Sequence, residues 1–193
     1  TLSSSSAASD VYKRQSQSPV ESLDQACSER LRAALYPSQI AMPLLTTPFA
    51  ELDLIRQPDQ ANDPLQAFDA ADEYLLEQLH AQALPGGSRV LVLNDSFGAL
   101  AVSLAGHMQV TGSGDSYLAQ LALGKNLARN GLPADSVPFV PACHTWQGPF
   151  DRVVIRVPKT LALLEEQLIR LQGHLAPGAV SYTHLRAHET RGN

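Results

Sequence analysis

One stretch limits the fold more than any other: Arg89-Val90-Leu91-Val92-Leu93-Asn94-Asp95-Ser96-Phe97-Gly98-Ala99-Leu100. Val90 to Leu93 is an uninterrupted apolar run just after Pro85-Gly86-Gly87. A run apolar on both faces suits a parallel strand covered above and below better than an antiparallel strand with one wet face. A turn and a helix are expected to follow. That is the outline of a nucleotide-binding α/β unit, in which spaced glycines permit a tight turn and let backbone approach the ligand closely. Here Asn94, Asp95, Ser96 and Phe97 fill the turn and only Gly98 remains. The Phe97 ring would take up space that a ligand's sugar or amino-acid part needs. Asp95 reads first as a turn residue that caps the next helix.

The chain has 193 residues, 44% of them hydrophobic, enough for one sizeable core. Its formal net charge is −5 and it holds no basic run, so charge alone points to no nucleic-acid surface. Cys27 and Cys143 stand far apart, in no CxxC or metal-ligand spacing, which favours a reduced, cytoplasmic compartment. Cys143-His144 falls short of the ligand count that zinc requires, and reads as a coincidental loop pair. No apolar run approaches the roughly 20 residues that span a bilayer. No metal and no membrane partner is expected.

The ends do not read like the middle. Residues 1–15 are serine-rich without apolar period, and Ser181-Tyr182-Thr183-His184-Leu185-Arg186-Ala187-His188-Glu189-Thr190-Arg191-Gly192-Asn193 is equally unpatterned. Both resemble translated adapter sequence, and neither is expected in the fold. His184 and His188 have the i, i+4 spacing of a helical metal pair but lack a supporting pattern. Without these ends the chain keeps ten basic and seventeen acidic residues, a net of −7. Met42 marks a second boundary, with residues 16–41 read as leader. The alternative there is a native amphipathic helix through Ala26 to Leu35. The expected organisation is therefore 1–41 non-native leader, 42–180 an incomplete α/β domain, and 181–193 a tail outside it.

From Met42 an alternating strand is expected through Phe49, Leu52, Leu54 and Arg56. Asn62-Asp63-Pro64 is then expected to open a helix, with Asp63 as cap, Pro64 at the first helical position and Gln66 completing a capping box. Its apolar face would be Leu65, Phe68, Leu75, Leu76 and Leu79. After the strand at Val90, a crossover helix is expected at Gly98 to Leu104 and a second strand at Gln109-Val110-Thr111. A turn at Gly112 to Ser116 leads to a helix from Tyr117 to Arg129, stopped by Asn130-Gly131. Val137 to Val140 forms a third strand weakened by Pro138 and Pro141. Arg152 to Val157 is a fourth, followed by a helix with Leu161, Leu164, Leu168 and Leu171 on one face. Gly173 and Pro177-Gly178 would end it. Such alternation predicts a doubly wound, mostly parallel sheet with right-handed crossovers, one that stops early for want of strands after Val180.

Four strings together resemble one family. They are Asn62-Asp63-Pro64-Leu65-Gln66-Ala67-Phe68-Asp69-Ala70-Ala71-Asp72-Glu73-Tyr74-Leu75-Leu76, Leu93-Asn94-Asp95-Ser96-Phe97-Gly98-Ala99-Leu100, Gly114-Asp115-Ser116 and Val157-Pro158-Lys159-Thr160-Leu161-Ala162-Leu163-Leu164-Glu165. In combination, over about Met42 to Val180, the chain resembles the ribosomal RNA large-subunit methyltransferase G family, which methylates a guanine N2 of 23S rRNA. The resemblance implies a class I methyltransferase-like, Rossmann-like fold and two tandem domains. The amino-terminal copy, the one represented here, would be degenerate and would support structure or RNA presentation. The carboxy-terminal copy would bind S-adenosylmethionine and carry an Asn-Pro-Pro-Phe type motif, whose Asn accepts from the guanine amine while the aromatic ring stacks on the base.

At the matching strand exit this chain has Val157-Pro158-Lys159, and a lysine donates but cannot accept. No catalytic residue is therefore expected here. Arg156 and Lys159 are candidates for RNA phosphate contact, weighed against a helix-start or interdomain salt-bridge role. Asp115 ends the second strand, where the resemblance would put a ribose-binding carboxylate, and a helix N-cap is the competing role. Asp95, Gly98 and Asp115 remain weak cofactor-binding candidates, with no cofactor expected in this fragment. Two other functions stay open. One is a single-domain nucleotide- or S-adenosylmethionine-dependent enzyme that uses those three residues; the other is a non-enzymatic RNA-presenting or dimerising module. The acidic balance weighs against the second, because phosphate neutralisation supplies most non-specific RNA affinity.

Overall fold

The computed structural model describes residues 44–59 and 65–184. The apolar run at Val90 forms the central strand of a five-stranded sheet. Its strands are β3 (Arg89–Leu93), β4 (Gln109–Gly114), β5 (Phe139–Pro141), β6 (Phe150–Arg156) and β7 (Leu175–His184), ordered β5-β4-β3-β6-β7. Every pairing in it is parallel. β3 pairs β4 on one side (Leu91↔Thr111) and β6 on the other (Leu91↔Val153), so the chain reverses its winding between β3 and β6. In a doubly wound sheet the crevice opens at that reversal, beyond the carboxyl ends of the strands.

Alternate residues of the central strands feed two cores. Val90, Val92 and Val154 join side chains of α1 (Ala70–Ala81), α2 (Ala99–Leu104) and α3 (Tyr117–Arg129). Leu91, Leu93, Val153 and Ile155 join Trp146, Phe150 and Leu171, the last from α4 (Leu161–Leu171). Trp146 is anchored by its indole N–H, which donates to Ser113 Oγ at 2.9 Å. Arg170 stacks over the same ring at 4.2 Å from its centroid.

Four expectations are corrected. First, the strand expected after Met42 is a hairpin of β1 (Leu45–Thr46) and β2 (Glu51–Leu52), because Thr47 closes a tight turn by accepting from Ala50 N at 3.0 Å and donating to Ala50 O at 2.8 Å. Second, Leu65 to Asp69 are not helical and α1 begins at Ala70; Asp63 and Pro64 lie outside the described residues. Asp69 and Asp72 make the capping box instead: Asp69 Oδ1 accepts from Asp72 N at 3.0 Å and Asp72 Oδ2 accepts from Asp69 N at 3.0 Å. Third, α4 buries Gln167 and Leu171 and packs Leu164 against the Trp146 core but leaves Leu161 and Leu168 exposed, so only half of its leucine face is covered. Fourth, β7 runs through Pro177-Gly178 and beyond Val180, where Val153↔Ser181 and Ile155↔Thr183 continue the pairing with β6. Tyr182 packs against the α1–α3 core and its hydroxyl donates to Gln82. Cys27 and His188 lie outside the described residues.

The extended segment after β2 is held by Asn126 of α3 and by Asn130, the residue that caps its carboxyl end, one helical turn apart. Asn126 Oδ1 accepts from Ile55 N at 2.9 Å while its Nδ2 donates to Ile55 O at 3.0 Å and Phe97 O at 2.7 Å. Asn130 treats Asp53 in the same way, with both contacts at 2.9 Å. The helix thereby supplies the segment with the hydrogen bonds that a neighbouring strand would otherwise provide. Asn126 is fully buried. Asn126→Ala leaves one backbone donor and two acceptors without partners, and is expected to cost about 2–3 kcal/mol in urea denaturation.

Candidate functional site

A cleft of about 700 Å³ opens where β3, β4 and β6 end. Asp95, Asp115, Arg156 and Lys159 all line it, so the fold gathers four of the five residues singled out from sequence; Gly98 lies behind it. Gln57, Asn94 and Phe97 complete the parts of its wall that matter chemically.

The turn after β3 keeps the backbone shape of a glycine-rich loop but fills its space. Asn94 takes a left-handed conformation (φ +62°) and Gly98 another (φ +85°). Asparagine tolerates that region because its side chain bonds locally. Asn94 Nδ2 donates to Arg156 O at 3.0 Å and to Gln167 Oε1 at 2.9 Å, and Gln167 Nε2 returns a bond to Asn94 Oδ1 at 2.9 Å. That paired amide ties the β3 turn to β6 and α4. The Phe97 ring lies 5.2 Å from the Arg56 guanidinium carbon, and its carbonyl is held by Asn126.

Asp95 turns into the start of α2. Its Oδ1 accepts from Gly98 N at 3.2 Å, and its Oδ2 accepts from Leu100 N and Ala101 N, each at 3.0 Å. Amides that a helix start can offer to an anionic ligand are thus engaged by the chain's own carboxylate. Burial pushes the Asp95 carboxyl above its ordinary value, while these amides and Arg156 act against that rise. Gly98 serves helix packing: a Cβ there would stand 3.0 Å from Leu123 Cδ1 and 3.2 Å from Leu123 Cα.

Arg156, at the end of β6, is turned inward. Its Nη2 meets Asp69 Oδ2 at 2.6 Å and both Asp72 oxygens at 3.0 and 3.1 Å, and its Nη1 donates to Ser96 Oγ at 3.3 Å. The two acids that start α1 thereby receive the guanidinium read as an RNA candidate, and the side chain is 7% exposed. Asp72 is fully enclosed, and burial first of all raises its carboxyl to about 7. Arg156 lowers it, and Asp95 and Asp69 raise it further. Lys159 stays exposed on the rim.

Asp115 is likewise exposed at the end of β4, and it does not cap α3. Ser116 does, accepting from Ala119 N at 3.3 Å. That reading is corrected, since the residue one position closer to the helix reaches its third amide. Cys143 Sγ lies 3.2 Å from His144 Nδ1 on the surface. Among the described residues no group of three His, Cys, Asp or Glu could hold a metal, and no helix is long and apolar enough to cross a membrane.

Residues 42–190 match the RLMG N-terminal domain family. The chain belongs to that family. Over 138 residues it is 82% identical to a Pseudomonas putida protein named ribosomal RNA large subunit methyltransferase G, a match that covers 72% of this chain and 37% of the relative. A Pseudomonas aeruginosa protein of the same name is 71% identical over 138 residues, with the same coverage. The chain therefore spans well under half the length of these relatives. Among solved structures, the T. thermophilus 16S rRNA N2 G1207 methyltransferase, solved with AdoMet and guanosine, superposes with a TM-score of 0.59 at 24% identity, covering 73% of this chain and 40% of that one. A precorrin 8w decarboxylase from Methanobacterium thermoautotrophicum gives a TM-score of 0.51 at 20% identity, covering 67% and 68%. The fold expected for an RLMG N-terminal domain, α/β and class I methyltransferase-like, is the fold observed.

Sequence reading missed Asp69, Asp72, Asn126 and Gln167. Asp69-Ala70-Ala71-Asp72 carries the capping-box spacing and could have been found from it. Two outcomes test the site. Asp95→Ala strips three amides of their acceptor and is expected to cost about 2 kcal/mol in urea denaturation, without unfolding the sheet. Asp72 binds its proton more tightly folded than unfolded. Its contribution therefore makes stability fall as pH rises from about 4, the unfolded value, to about 7. Urea midpoints measured across pH 4.5–7.5 are expected to show that downward slope and to lose it in Asp72→Asn.

Proposed function

We propose that this chain is the amino-terminal, non-catalytic domain of an S-adenosylmethionine-dependent 23S rRNA (guanine-N2)-methyltransferase, acting in the cytoplasm. It supports a carboxy-terminal domain, not present in this chain, that holds the cofactor and transfers the methyl group. The family match and the relatives' names support the parent reaction. The Asp95 carboxylate on the first amides of α2 carries the assignment of this half as support. A cofactor bound at that turn would have to displace a buried carboxylate from three hydrogen bonds and move Phe97. The residues present therefore do not fit S-adenosylmethionine, and no step of the transfer is routed through them.

Contact with rRNA falls to Lys159, which stands exposed at the rim. Arg156 acts instead through its ion pairs with Asp69 and Asp72. One observation favours the rival single-domain enzyme: the cleft is large enough for a small ligand, and Asp115 is exposed on its wall. Titration calorimetry of S-adenosylmethionine into the 193-residue chain separates the two. The expected result is no binding at millimolar ligand and no labelled methyl on 23S rRNA. A micromolar dissociation constant would install the single-domain reading in its place.

A further inference from the structure

Three of the four described helices begin on a capping side chain. Asp69 fills the start of α1, Asp95 that of α2 and Ser116 that of α3. α4 is different. Thr160 stands at its cap position without a side-chain bond to the helix, and its first turn carries no acidic residue. The α4 start therefore keeps amides and a positive dipole end that no side chain neutralises. Lys159 adjoins it, exposed and outside any ion pair among the described residues. Pro158, Lys159, Thr160 and Leu163 bring this end of the helix into the wall of the cleft.

A second part of the same wall also lacks acceptors. Gln57 is 8% exposed and accepts from Lys125 through Oε1 at 3.1 Å, but its Nε2 is enclosed with no partner among the described residues. Arg156 Nε is in the same state. Buried donors ordinarily find acceptors, so the unmet groups of this wall call for an acceptor-rich ligand. Beside Gln57 the Arg56 guanidinium lies over the Phe97 ring, and both are planar groups of the kind on which bases stack. Asp115 is exposed just past the end of β4 and, like Lys159, outside any ion pair among the described residues. Because β4 and β6 flank β3, the two strand exits that carry Asp115 and Lys159 are two strand spacings apart, roughly 10 Å. A ribose 5′-phosphate can bridge that gap.

We propose that the cleft binds a nucleoside 5′-monophosphate. The phosphate rests on Lys159 and the first amides of α4, the ribose diol donates to Asp115, and the base lies along the wall of Gln57 and Phe97. A phosphate monoester carries about −1.5 to −2 at neutral pH and a diester only one charge, so an uncapped helix start beside a lysine favours the monoester. The net charge of −5 opposes a run of phosphates more than a single one. The phosphate also separates this ligand from S-adenosylmethionine, which carries a sulfonium in its place, and the amides held by Asp95 stay untouched. The site goes beyond the supporting role given above. It draws on the same lysine as the rRNA contact, and the test tells the two apart.

Titration calorimetry of GMP into the 193-residue chain is expected to give a dissociation constant on the order of 0.1 mM. Guanosine, which lacks the phosphate, and the 2′,3′-dideoxy monophosphate, which lacks the diol, are each expected to bind about tenfold more weakly. Lys159→Ala is expected to lower GMP affinity about tenfold, and Asp115→Ala to abolish the preference for the diol. Thermal midpoints of both variants stay unchanged, because the two side chains are exposed. Absence of binding at about 10 mM GMP overturns the proposal, as does GMP binding that neither variant alters. A short oligoribonucleotide with a 5′-hydroxyl offers diesters only and is expected not to displace GMP. Displacement by it at equal concentration would assign the cleft to an RNA chain and overturn the monoester. No arm uses S-adenosylmethionine, so a failure here leaves the reading of the Asp95 turn standing.

Discussion

One guanidinium balances the carboxyl edge of the sheet. Arg156 sits at the end of β6, within ion-pair distance of Asp69 and Asp72 at the start of α1, and close enough to Asp95 to act on its charge. Three carboxyls and one cation cannot all be charged in an enclosed place without cost, and burial drives the Asp72 carboxyl upward accordingly. Removing the acids would strand the buried Arg156 guanidinium, so the cluster fixes where α1 meets the sheet. Because Asp69 and Asp72 also start α1, helix initiation and tertiary docking depend on the same two side chains.

The same edge has the geometry of a ligand-binding crevice with its polar groups turned to one another. The left-handed Asn94 and Gly98, the helix start beneath them and the crevice at the winding reversal are all kept. What has changed is the occupancy of each polar group. Asp95 holds the amides, Asn94 and Gln167 satisfy one another, and Arg156 is engaged by acids. Each of these groups makes an internal bond where it could have faced a ligand.

Much of the fold was legible because the hydrophobic period was clean. Val90 to Leu93 announced a covered parallel strand, and Asn130-Gly131 marked the end of α3, with Gly131 left-handed as a helix stop requires. Where reading failed, a nearer competitor had won. Asp69 caps α1 six residues past the Asp63 that the pattern favoured, and Ser116 caps α3 in place of the adjacent Asp115, since hydrogen-bond reach decides such cases and composition does not. The leucine stripe of α4 was half right: Leu164 and Leu171 meet the Trp146 core, whereas Leu161 and Leu168 stay exposed. In the site, Asp95 as a cap was readable from turn chemistry. Its link to Arg156, by contrast, spans sixty residues of chain and could be seen only once β3 and β6 were known to be neighbours.

The Asp95 turn and the charge balance then bear on the same question. In the crevice Asn94, Asp95 and Arg156 are engaged by the chain's own groups, which leaves Asp115 and Lys159 as its exposed charged side chains. The acidic balance points the same way, since a surface that repels phosphate is better suited to holding protein than to holding RNA.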